Sequence, residues 1–127
     1  MTVLGVHGEN EERTALRVEV LTDVITCRRP LSESRQRLAN FGWDSAPLVP
    51  VTTDDLSAVI RSFIDGNVSA GFVEEWAETL ESREDVYFAD QVGEKVIFVL
   101  ANPALEGELG TALARELLAA LQPWGAS

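Results

Sequence analysis

Thr52-Thr53-Asp54-Asp55-Leu56-Ser57-Ala58-Val59-Ile60-Arg61-Ser62-Phe63-Ile64-Asp65-Gly66-Asn67-Val68-Ser69 has the plainest structural signature in the chain. Leu56, Val59, Ile60, Phe63 and Ile64 recur at i, i+3, i+4, i+7 and i+8, the spacing that gathers apolar side chains on one face of a helix. Thr52 or Thr53 can cap that helix, Asp54 and Asp55 place negative charge at the positive end of its dipole, and Gly66 with Asn67 offers an exit. Ser69 then caps a second helix, whose Phe72, Val73, Trp76, Ala77 and Leu80 form another stripe. About four residues join the two, which predicts an antiparallel hairpin of helices.

Working outward, Leu113, Leu117 and Leu121, with Leu118 beside them, predict a C-terminal helix that starts at Gly110 or Thr111 and stops at Pro123. Pro30 suits the first turn of a helix over Leu31 to Phe41, with Leu31, Leu38 and Phe41 inward, Arg35 and Arg37 outward, and Gly42 closing it. Trp43 to Thr53, holding Pro47 and Pro50, reads as an extended connection over the surface. Two segments carry both periods. Thr14 to Cys27 alternates at Arg17-Val18-Glu19-Val20, as a strand would, while Leu16, Val20 and Val24 match a helical repeat. Val92 to Ala101 is β-branched and apolar on every side, yet Phe88, Val92, Val96 and Leu100 continue a period of four; with no second strong strand to pair with, it is read as a buried helix. Met1 to Asn10 is expected to be flexible. The fold class that follows is all-α: residues 1–127 as a single-domain bundle of five or six helices, with Phe63, Trp76, Val96 and Leu117 in one core.

The chain has 127 residues, 46% apolar and 24% charged, enough to bury a core without disulfides or a structural metal. Cys27 is the single cysteine, so no intrachain disulfide forms, and no stretch is long and apolar enough to span a membrane or resembles a secretory leader, which together predict a cytoplasmic protein. The net charge is −11, which disfavours a phosphate backbone, so nucleic acid is not an expected direct partner. The charge is unevenly placed. Residues 1–63 hold nine acids and seven arginines, whereas residues 64–127 hold twelve acids against Arg83, Lys95 and Arg115, giving −2 against −9.

Most catalytic devices lean on residues that are scarce here. His7 is the single histidine, no Cys–His or Ser–His–acid set suggests itself, and no metal-ligand spacing is present, so neither enzyme activity nor a metal or cofactor is expected. Cys27 reads either as a small buried hydrophobe or as a thiol activated by Arg28 and Arg29. Trp43, Trp76 and Trp124 read as packing residues. The pronounced polar feature is a run of acids on the second helix: Glu74, Glu78, Glu81 and Asp85 at spacings of four, three and four, beside Glu75 and Glu84, with Arg83 the one nearby cation. Like charges so placed repel, and a cationic partner would relieve them, so Glu74, Glu75, Glu78, Glu81 and Asp85 are the candidate partner-binding residues; the plainer alternative is a solvated face. Arg28, Arg29, Arg35 and Arg37 read as helix-end and surface charge, or as a patch for the acidic half of a second copy or an anion.

A resemblance covers Leu56 to Leu121, about half the chain. It is carried by Ile60-Arg61-Ser62-Phe63-Ile64-Asp65-Gly66-Asn67-Val68-Ser69-Ala70, by Trp76, by Leu80-Glu81-Ser82-Arg83-Glu84-Asp85-Val86, and by Leu100-Ala101-Asn102-Pro103-Ala104-Leu105-Glu106-Gly107. The helix, short Gly turn, Ser-Ala cap and acidic-aromatic second helix are similar to the opening of bacterial self-protective immunity proteins of the colicin D type. That resemblance implies a small acidic helical bundle that binds and blocks a basic, tRNA-cleaving toxin domain, and it transfers no individual toxin contact. The alternative is a self-associating structural or assembly protein, a homo-oligomer in which Arg28 to Arg37 of one copy meets the Glu74 to Asp85 face of another.

Overall fold

The computed structural model describes residues 2–42 and 46–122, with backbone alone for 2–10. In chain order these form α1 (Thr2–Thr26), α2 (Leu31–Leu38), β1 (Val49–Val51), α3 (Thr53–Ile64), α4 (Ala70–Glu81), β2 (Val86–Phe88), α5 (Gln91–Ala101), α6 (Pro103–Glu106) and α7 (Thr111–Leu121). The expected all-α class holds, with seven helices among the described residues in place of five or six; the extra one is α6, a single turn set by Pro103 at its start. The first part of α1 is the segment expected to be flexible. The packing expected of Trp43 and Trp124, the stop at Pro123 and the His7 side chain lie outside the described residues.

Local chemistry sets most boundaries. The Thr52 hydroxyl accepts from the Asp55 amide at 3.1 Å while the Asp55 carboxylate accepts from the Thr52 amide at 2.9 Å, a capping box that starts α3. Gly66, at φ +82°, ends it: its amide donates to the Phe63 carbonyl at 3.0 Å and that of Asn67 to the Ser62 carbonyl at 2.9 Å. Ser69 caps α4 through the Phe72 amide, and Asp90 caps α5 through the Val92 amide. Both ambiguous segments are helices, although Phe88, counted in the helical repeat, belongs to β2. Leu31 and Leu38 of α2 are buried as expected, but the helix stops at Leu38 and Phe41 reaches the core from the turn beyond.

Three packing expectations are corrected. Residues 49–51 do not cross the surface: Val49 and Val51 turn inward, 8% and 1% exposed, with Pro50 outward between them. They pair in parallel with β2, Val49 opposite Val86 and Val51 opposite Phe88, and α3 with α4 supplies the crossover that parallel strands require. A proline survives there because a two-stranded sheet is all edge. Secondly, α3 and α4 touch, but α4 packs chiefly on α5 and α3 on α7. Their stripes are wider than a hairpin partner can cover, so each finds a second helix. Thirdly, Trp76, Val96 and Leu117 are buried in one core with residues of α1, α2 and both strands, while Phe63 lies half-buried at its edge. Gly93 lets α5 approach α3 closely, since a Cβ there would stand 3.1 Å from Leu56 Cδ1. No helix among the described residues is long and apolar enough to cross a membrane.

Candidate functional site

Helix α4 carries most of the predicted surface, and its rotation is fixed from beneath. Val73, Trp76, Ala77 and Leu80 are fully buried, and the Trp76 indole donates to the Val24 carbonyl of α1 at 2.8 Å. With that face locked, Glu75, Glu78 and Glu81 are exposed, Glu74 is half-buried, and Glu84 follows exposed beyond the helix end. Glu75 meets Arg35 at 3.2 Å, a surface pair of small energetic weight, and Glu81 accepts from the side-chain amide of Asn102 at 3.4 Å. Among the described residues, Glu74, Glu78 and Glu84 have no cationic partner.

Asp85 is the correction in this set. The helical spacing that placed it on the acidic face ends at Glu81, and beyond Ser82 the chain turns into β2 and carries Asp85 under the surface, fully buried. Arg83 grips its carboxylate through Nε and a terminal nitrogen at 2.9 and 2.8 Å, and Arg17 of α1 donates at 2.8 Å. Burial works against its charge, but the hydrogen bonds from Arg83 and Arg17, with their positive charges, outweigh it and hold the carboxyl below the usual value. The same arginines donate to the Gly42 carbonyl, Arg13 donates to that of Asn40, and Arg13 and Arg17 lie over the Phe41 ring, at 4.7 and 5.5 Å. The Asp85 carbonyl accepts from Leu48 and Val49. Asp85 therefore clamps α1, the turn after α2 and the start of β1 together. Arg83 beside it was visible in sequence; nothing in sequence connects it to Arg17, 68 positions away.

The arginine cluster is likewise engaged inward. Arg28, Arg29 and Arg37 converge on the carboxylate of buried Asp23 at 3.7, 3.4 and 3.5 Å, and Arg29 also meets Glu33. Cys27 is exposed, not a buried hydrophobe. It closes α1 at φ +56°, its amide donating to Val24 and that of Arg28 to Asp23, the hydrogen-bond pattern that Gly66 makes for α3. Partial burial of its thiol pushes the pKa up, opposite to activation by Arg28 and Arg29. Among the described residues no group of three or more His, Cys, Asp or Glu side chains is placed to hold a metal ion.

Two grooves flank α4. One, between α4 and the end of α2, is lined by Arg35, Phe41, Glu78 and Arg83. The other, about 430 Å³, lies between the start of α4, α5, α6 and the start of α7. Sequence reasoning anticipated neither; the walls of the second come from segments up to 43 positions apart whose residues are ordinary in type. No protein-family model, no curated protein and no solved structure matches the chain.

Proposed function

We propose that the chain is a cytoplasmic, stoichiometric protein-binding module, an acidic immunity-type inhibitor that neutralises a cationic, nuclease-like toxin domain by masking its active surface. The observation that carries this reading is the α4 ridge: Glu78 stands exposed and unpaired, flanked by exposed Glu75 and Glu81 and half-buried Glu74, on a helix whose opposite face is locked by Trp76. A helix held in rotation from beneath needs little backbone ordering on meeting a basic surface, and the field of its carboxylates, of which Glu75 meets Arg35 while Glu74 and Glu78 have no cationic partner among the described residues, speeds encounter. Asp85 contributes by holding the turn after α4 in place and, being fully buried, presents no surface to a partner. The self-association alternative has less support, because Arg28, Arg29 and Arg37 already face Asp23 and Arg35 already meets Glu75 within one chain.

The test is charge reversal against a partner recovered from the native host and identified by mass spectrometry. Glu78→Lys with Glu81→Lys should weaken calorimetric binding by several kcal/mol, because attraction becomes like-charge contact, and wild-type association should slow as salt rises through about 0.1 M. Unchanged affinity in the double variant would mean that the ridge is only solvated.

A further inference from the structure

The groove beside α4 has a composition unlike the ridge it borders. Val99 and Pro103 line it together with Leu109 and Leu113, and Ala70 and Ala104 leave the space between them open. At about 430 Å³ it falls within the range of ligand pockets, roughly 300–1,000 Å³. Helix α6, which forms one wall, has no buried residue, and Leu105 on it is 73% exposed, the most exposed large apolar side chain among the described residues. The carboxylates that line the groove are Glu74, from the ridge, and Glu108, from the connection to α7; no basic side chain lines it. Apolar walls flanked by uncompensated acids match one kind of visitor, an apolar side chain carried between cationic ones.

We propose that this groove is the anchor site of the binding surface: it takes an apolar side chain from a basic segment of a protein partner, while Glu74 and Glu108 receive the arginines or lysines beside that anchor. This inference rests on the reading of α4 as a partner-binding ridge and adds where the partner's desolvated contact falls. The division of labour is physical. Exposed carboxylates on the ridge chiefly steer association, whereas an apolar anchor removed from water slows departure. Glu74 belongs to both, since it lies on the acidic helix and lines the groove.

The probe is a short acetylated and amidated peptide with one phenylalanine between two pairs of arginines, titrated at low salt into the whole chain and followed by amide chemical shifts. Saturable binding with shifts at Val99, Ala104 and Leu113 is expected. Replacing the peptide's phenylalanine by serine should weaken it about tenfold, as should Ala104→Trp, which fills the groove from an exposed position and should leave the melting temperature unchanged. Absence of binding overturns the inference. So does affinity that ignores both changes yet collapses on Glu78→Lys with Glu81→Lys; that result would leave the acidic ridge standing and remove the anchor. Binding insensitive to salt and to charge reversal would overturn the ridge itself. If the chain alone sediments as a dimer that Ala104→Trp dissolves, the occupant is a second copy and the inference fails.

Discussion

At Asp85 and Cys27 single side chains carry structure that their neighbours in sequence do not announce. Asp85 is fully buried against Arg17 and Arg83, which are themselves only 16% and 8% exposed, so Asp85→Asn would leave two guanidinium groups facing a neutral partner. Breaking such a pair costs about 3 kcal/mol, and a lowered urea midpoint at pH 7 should show it. Because the folded carboxyl titrates below its ordinary value, its contribution is complete above the unfolded pKa of about 3.9 and is lost as pH falls through the lower, folded one. Wild-type stability should therefore drop more steeply than that of Asp85→Asn on acidification below pH 4, and parallel urea midpoints across that range would refute the assignment. Cys27 sits in the left-handed region, where a Cβ is crowded and glycine is at ease. Cys27→Gly should raise stability by about 1 kcal/mol in chemical denaturation, and a loss would mean that the thiol's contacts outweigh the backbone strain.

The elements were legible in proportion to how much of their stabilisation is local. Thr52, Ser69 and Gly66 were named as punctuation from sequence and act as such, because a cap needs only residues within one turn of itself. Thr52→Ala removes the hydroxyl that accepts from the Asp55 amide and leaves the backbone half of the capping box; it should cost about 1 kcal/mol, with folded-state helicity unchanged by circular dichroism. Helix α5 was the harder case: its run from Val92 to Leu100 is β-branched and apolar as a buried strand would be, but it keeps a period of four and lacks a strong strand to pair with, and it is indeed a helix, capped by Asp90 through the Val92 amide. The strands were missed for the opposite reason. Three residues with a central proline carry almost no periodic signal, and β1 exists because β2, brought back by α3 and α4, offers it a partner. The acidic run was read one turn too far, since spacing alone cannot say that α4 ends at Glu81 and that Asp85 then turns inward.

For the whole molecule, charge is the dominant physical fact. A net charge of −11, with −9 of it in residues 64–127, makes the folded state self-repelling. Added salt should therefore raise the melting temperature modestly in the 0.05 to 0.5 M range, and Glu78→Lys with Glu81→Lys should fold at least as stably as the wild type, because both positions are exposed and repulsion along α4 is relieved. A cooperative melt at or above the wild-type temperature in low salt is the expected result; a lower one would show that these glutamates hold the structure together.

The helical class, the caps, the inward stripe with Trp76 and the acidic α4 ridge follow from residue type and spacing along the chain, which is all that a helix needs to declare its faces. Which helix meets which, the parallel pairing of Val49–Val51 with Val86–Phe88, the sorting of Asp85 into a buried clamp and Glu78 onto the surface, and the groove closed by α6 are decided by tertiary structure alone. Those depend on contacts between residues far apart in sequence, where the favourable free energy comes from shared burial and from charges meeting across elements, and no local pattern encodes either.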